Sequence, residues 1–154
     1  QNETSYRYNL KQFVKIAREN DMIPVFITSI NERNFEGNTD TLAADGIEPY
    51  RNAMREVGAE CGVPVLDIAP AHKALVEHWG NEGSKQLYLH FTKTEYPNYP
   101  ATLPDNTHIS KTGANEVAKL VASAIKEGAK TNAALERLAK KLDSSKSLAP
   151  TEPN

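Results

Sequence analysis

The sequence predicts an open α/β domain with a mostly parallel sheet, and three observations predict it. Met22–Ile30 (MIPVFITSI) and Val63–Ala69 (VPVLDIA) are nearly continuous apolar runs, β-branched in the way of strands buried on both faces. Each follows a segment whose apolar residues recur at helical spacing. Helix and strand therefore alternate, and that alternation belongs to sheets covered by helices on both faces, with ligands bound at the carboxyl ends of the strands.

The elements follow in order. From Thr4 to Asn20, Tyr6, Leu10, Phe13, Val14 and Ala17 define one helix face, with Lys11, Lys15, Arg18 and Glu19 opposite. Pro24 sits at the entry of the first strand, where a missing N–H is tolerated. The polar stretch NERNFEGNTDTLAADG then reads as a long loop leaving that strand, and long ordered loops tend to be functional. Ile47, Tyr50, Met54, Val57 and Cys61 mark a second helix stopped by Gly62, ahead of the second strand. PAHKALVEHWG supplies a third helix through Ala71, Leu75, Val76 and Trp79, with a short helical turn expected over NEGSKQLYL. HFTKTEYPNYPATLP has no usable period and reads as a loop. Val117, Leu120, Val121, Ala124 and Ile125 then define a last core-facing helix, with Ser110 as its N-cap. Residues 1–128 thus form the domain portion. Residues 129–154 are a tail, helical through Leu135, Leu138 and Leu142, then polar, proline-bearing and expected to be disordered.

Composition excludes several function classes. The 154 residues carry a net charge of -2 with 18 scattered Lys and Arg, which gives no footprint for nucleic acid or an anionic membrane. No apolar run approaches the ~20 residues that cross a bilayer, and QNETSYRYN lacks a signal-peptide core, so an exported form would already have lost its signal. The single cysteine, Cys61, excludes an internal disulfide and a multi-cysteine metal site, and is expected to be a buried thiol. His72, His78 and His90 lack metal-ligand spacing; neither metal nor cofactor is expected.

Two strands are too few. A parallel sheet buried on both faces needs neighbours for its edges, and four amphipathic helices cannot all cover a two-stranded ribbon. The expectation is a C-terminal part of a larger domain, with the first strands supplied by an N-terminal half or a cleaved companion chain.

The chemistry is concentrated in DNTHIS, residues 105–110. An aspartate three residues before a histidine, at the entry to a helix, can accept from one ring nitrogen while the other faces a reacting hydroxyl. Asp105 would orient the imidazole and stabilise its cation, and His108 would act as general base and then general acid. The same residues also suit a plainer role, with Asp105 and Ser110 as turn and cap and His108 as a surface histidine.

Read together, NLKQFVKIARENDMIPVFITSINERNF, YRNAMREVGAECGVPVLDIAPAHKAL and YPNYPATLPDNTHISKTGANEVAKLVASAI resemble the C-terminal half of the SGNH (GDSL-type) hydrolases, in the rhamnogalacturonan acetylesterase-like branch. The resemblance covers about residues 5–127. It implies a three-layer α/β/α, flavodoxin-like fold, with Asp105 and His108 on the D-x-x-H block of that family. It also implies a carbohydrate deacetylase with a serine nucleophile, acting on acetylated carbohydrate, exported from a bacterium. The G-D-S block, the oxyanion glycine and the G-x-N-D block do not occur. GNTD (Gly37–Asp40) has threonine where asparagine belongs, and GSK (Gly83–Lys85) lacks the aspartate. The chain alone is therefore expected to be inactive; the alternative is a non-catalytic interaction module.

Three further residues are candidates for substrate contact. Arg33 and Asn34 follow the first strand at its carboxyl end, and Tyr99 in YPNYP precedes the D-x-x-H block, where it and Tyr96 could form a stacking wall for a sugar.

Overall fold

The computed structural model of the chain describes residues 3–92, 95, 98 and 103–153. Tyr96 and Tyr99 lie outside them. The order is α1 (Glu3–Glu19), β1 (Phe26–Ile27), α2 (Glu48–Cys61), β2 (Val65–Leu66), α3 (Ala69–Gly83), a 3-10 turn (Ser84–Leu87), β3 (Tyr88–Phe91), β4 (Leu103–Ile109), α4 (Lys111–Gly128) and α5 (Ala133–Ala139).

The expected parallel pairing is present but short. β1 and β2 run parallel with Phe26 opposite Val65 and Ile27 opposite Leu66, extended by Phe26 N–H to Pro64 O and Thr28 N–H to Leu66 O. Prolines 24 and 64 precede the two strands and delay pairing, since neither offers a donor. α2 stops where Gly62 takes the left-handed conformation (φ 60°), which costs glycine nothing and closes the last turn. The mixed architecture, a small parallel sheet with helices packed on it, is that of a partial α/β domain.

The burial pattern has the same partial character. One core cluster joins α1 and α2 to the sheet through Leu10, Val14, Phe26, Val57 and Val63; another joins the long loop, α3 and β3 through Leu42, Leu75, Val76, Trp79, Leu87 and Tyr88. The free thiol of Cys61 is half-buried at the edge of the first cluster rather than enclosed in it. Phe13, expected on the core face of α1, is 65% exposed, and Ile16, Met22, Ile23 and Ile27 are exposed with it. α4 buries fully only Gly113 and Glu116; its apolar stripe, Val117 to Ile125, is half-buried. The two-stranded sheet covers only part of the apolar faces of α1 and α4, whereas Val57 of α2 and Leu75, Val76 and Trp79 of α3 are buried. None of the helices among the described residues is long and apolar enough to cross a membrane.

Two expectations need correction, and one between them is met. HFTKTEYPNYPATLP, read as loop, begins in β3 and ends in β4, which pair antiparallel with Tyr88 opposite Ile109, His90 opposite Pro104 and Phe91 opposite Leu103. NEGSKQLYL holds the short helical turn expected of it: Gly80 (φ 68°) breaks α3, and the residues after it run through the 3-10 turn into β3. The polar tail lies against α3 and α4. Trp79 Nε1–H donates to Thr151 O (2.9 Å), and Thr151 donates through Oγ1 (2.8 Å) and N (3.2 Å) to the buried carboxylate of Glu116. Composition argues disorder for such a segment, but a few specific acceptors on the folded surface give its backbone somewhere to bond.

Candidate active site

Asp105–His108 is an outward bulge in β4. Between the pairs Tyr88–Ile109 and His90–Pro104, these four residues stand opposite the single Leu89. Extra residues in one strand leave the ladder and re-aim their side chains, a device common beside active sites. The bulge is braced below by α4. Ser110 N–H bonds to Leu87 O (3.0 Å), and Ser110 Oγ donates to Gln86 O (2.6 Å) while accepting from Gly113 N–H (3.1 Å). Gly113 is required by close approach: a Cβ there would meet Leu87 O at 2.0 Å.

Within the bulge Asp105 is bound three ways. Its Oδ1 accepts from the backbone N–H groups of Thr107 (2.7 Å) and His108 (2.8 Å), and its Oδ2 lies 2.8 Å from His108 Nδ1. The His108 and Thr107 N–H groups, aided by the imidazole, hold the Asp105 carboxyl down to about 2, so it is ionised throughout the physiological range. An ionised carboxylate only accepts, so Nδ1 carries the proton and Nε2 of the neutral ring is left as the basic atom. The His108 side chain is 73% exposed. Among the described residues Nε2 makes no hydrogen bond. The geometry is that of an oriented base facing outward.

The loop leaving β1 holds the other side of the bulge. Asn31 is pinned at three points: its N–H to His72 Nδ1 (3.2 Å), its O from Tyr88 OH (2.7 Å), and its Nδ2 to Ala69 O (2.7 Å). Arg33, a candidate for substrate contact, is 5% exposed and its guanidinium is occupied by protein acceptors, Ser84 Oγ, Asn106 Oδ1 and Asn81. Asn34 is exposed, with Nδ2 donating to Glu32 (3.0 Å), and it borders a shallow polar depression with Phe35, Gly37, Asn81 and Asn106. The structure therefore brings Arg33 and Asn34 beside the bulge that carries Asp105 and His108. Neither stretch that partly echoes a missing block offers a nucleophile: Asp40 of GNTD accepts from Asn81 N–H (2.6 Å), and Ser84 of GSK is fully buried against Arg33.

Sequence reasoning missed two buried polar groups in this region. Arg51 is 2% exposed and bonds Ser29 O, Ile30 O and, bidentately, Asp45, so it fastens both ends of the long loop. His72 is enclosed under the same loop, and burial, with Arg51 adding to it, pushes its ring down to about 4. Periodicity places both residues on helices but does not say that a loop folds over them.

Two comparisons with known proteins bear on this site. The chain is 42% identical over 124 residues to the rhamnogalacturonan acetylesterase RhgT of Bacillus subtilis (strain 168), covering 80% of this chain and 53% of that protein. It is 33% identical over 124 residues to the probable rhamnogalacturonan acetylesterase YesY of the same organism, covering 80% and 52%. The chain thus spans about half the length of the curated relatives it matches. No family model and no solved structure matches it. Four fifths of the chain aligned at this identity, with D-x-x-H at the entry to its long last helix, places it: the chain belongs to the rhamnogalacturonan acetylesterase-like branch of the SGNH hydrolases, as a C-terminal part of such a domain.

Proposed function

We propose that this chain contributes the acid–base half of a carbohydrate esterase that deacetylates acetylated polysaccharide or oligosaccharide. Asp105 and His108 are its orienting acid and general base. A companion N-terminal half supplies the serine nucleophile and the oxyanion hole. The observation that carries the proposal is the Asp105 Oδ2–His108 Nδ1 contact of 2.8 Å on a bulge that leaves Nε2 facing outward. The names of the two relatives support the substrate class.

The steps follow from that arrangement. His108 Nε2 takes the proton of the serine hydroxyl as its oxygen attacks the acetyl carbonyl. Collapse of the tetrahedral adduct breaks the bond to the sugar oxygen, which receives the same proton from His108. Water, deprotonated by His108, then releases acetate and restores the serine. Asp105 stays ionised throughout and stabilises the imidazolium in each half-reaction. The chain by itself, without nucleophile or oxyanion donors, has no route to an acetyl-enzyme and is expected to be inert.

The test is to join the chain to the N-terminal half of the B. subtilis acetylesterase and assay an aryl acetate and acetylated rhamnogalacturonan. Turnover is expected in the joined protein, with a loss of roughly 10²- to 10⁴-fold in His108→Ala, the range of general acid–base catalysis. Equal turnover in wild type and His108→Ala would overturn the proposal and favour a non-catalytic module.

A further inference from the structure

Arg33 has more protein partners than a surface loop residue needs. Four of its guanidinium N–H groups are used: Nε to Ser84 Oγ (3.0 Å), Nη1 to Asn106 Oδ1 (3.0 Å), and Nη2 to Asn81 Oδ1 (2.6 Å) and Asn81 O. The cation also lies over the Phe35 ring at 5.3 Å. Its own backbone N–H donates to Asn106 O (2.8 Å). Asn106 is therefore bound by Arg33 through both side chain and main chain. His90 Nε2 approaches the same Oδ1 at 2.7 Å, and because arginine only donates, that oxygen is an acceptor and His90 Nε2 carries its proton.

Asn106 occupies the centre of the bulge, between Asp105 and the two N–H groups that Asp105 accepts. The turn is thus held from inside by the Asp105 carboxylate and from outside by Arg33. We propose that Arg33 is a positioning residue for the acid–base pair: acting through Asn106, it fixes the bulge in the shape that keeps Asp105 bound to the His108 ring. The inference rests on the reading of Asp105 and His108 as orienting acid and base. It gives Arg33 a role distinct from substrate contact. A planar fork meeting three separate residues is a task that lysine, with a single nitrogen, cannot perform.

The test is a carbon-13 NMR titration of the aspartate carboxyls in the full 154-residue chain, wild type against Arg33→Met and Asn106→Ala. Wild-type Asp105 is expected to titrate near 2. With the outer clamp removed, the Thr107 and His108 N–H groups drift from the carboxylate and Asp105 rises toward the ordinary 3.8, further in Arg33→Met than in Asn106→Ala. Arg7→Met, which removes an arginine paired with Glu56 and Glu60 on α2 and bonded to neither the long loop nor the bulge, should leave Asp105 where it is. An unchanged Asp105 midpoint in a folded variant overturns the inference. Should Arg33→Met fail to fold, Asn106→Ala decides alone, since its backbone bond to Arg33 survives. In the joined esterase, Arg33→Met should lower kcat while KM holds. A shifted Asp105 beside a fully active His108→Ala would retire the esterase reading and leave the clamp standing.

Discussion

His72 is a histidine that tertiary structure has turned into a pH sensor of stability. Its ring is enclosed, accepts from Asn31 N–H, and meets Tyr88 edge-on at 6.4 Å. Its folded value of about 4 lies below the ordinary 6.5, so between those limits the unfolded chain binds a proton that the folded chain does not. Stability then falls as pH drops from 6.5 toward 4, by roughly 3 kcal/mol across the window. Urea unfolding between pH 7 and 4.5 should show this slope. His72→Asn, which keeps an acceptor for Asn31 but does not titrate, should be less stable at pH 7 and lose the slope. Asp105 and His108 were legible from spacing because both partners lie within one turn of chain. Arg33 was legible as a residue beside the site, yet its burial depends on Ser84 and Asn106, 51 and 73 residues away, and no local pattern encodes that.

Among the elements, the strand–helix junction at Ser110 sets where the pair sits. Its hydroxyl caps α4 at Gly113 and also bonds Gln86 O, so one side chain fixes the helix start and ties β4 to the 3-10 turn. Ser110→Ala removes both and should cost about 1–2 kcal/mol, read as a lower urea midpoint with unchanged slope. Helix boundaries were well marked in the sequence, since caps, glycine stops and 3.6-residue periodicity are local signals. The β3–β4 pair was not. Tyr88–Phe91 is too short for alternation to register, and prolines at 97, 100 and 104 speak for a loop. Pairing across the intervening residues supplies what neither strand shows separately.

For the molecule as a whole, the C-terminal segment joins α3 to α4. Trp79 bonds Thr151, Thr151 bonds Glu116, His78 meets Glu152 at 2.9 Å, and Pro153 covers Gly83. Deleting residues 143–154 should cost about 2–3 kcal/mol for the lost bonds to a buried carboxylate and indole. The sole tryptophan, Trp79, should report the change as a red-shifted emission. The exposed apolar residues Phe13, Ile16, Ile23 and Ile27 belong to the same scale, because their exposure reflects how little of α1 and β1 the two-stranded sheet and its helices cover. By itself the sequence determined the alternating α/β class, the helix limits, the shortage of strands and the nearness of Asp105 to His108, all of them written in periodicity, caps and short spacings. Tertiary structure alone decided the bulge, the burial of Arg33, Arg51 and His72, and the docking of the tail. Each of these is a polar group satisfied by a partner far along the chain, and only folding brings such partners within hydrogen-bonding distance.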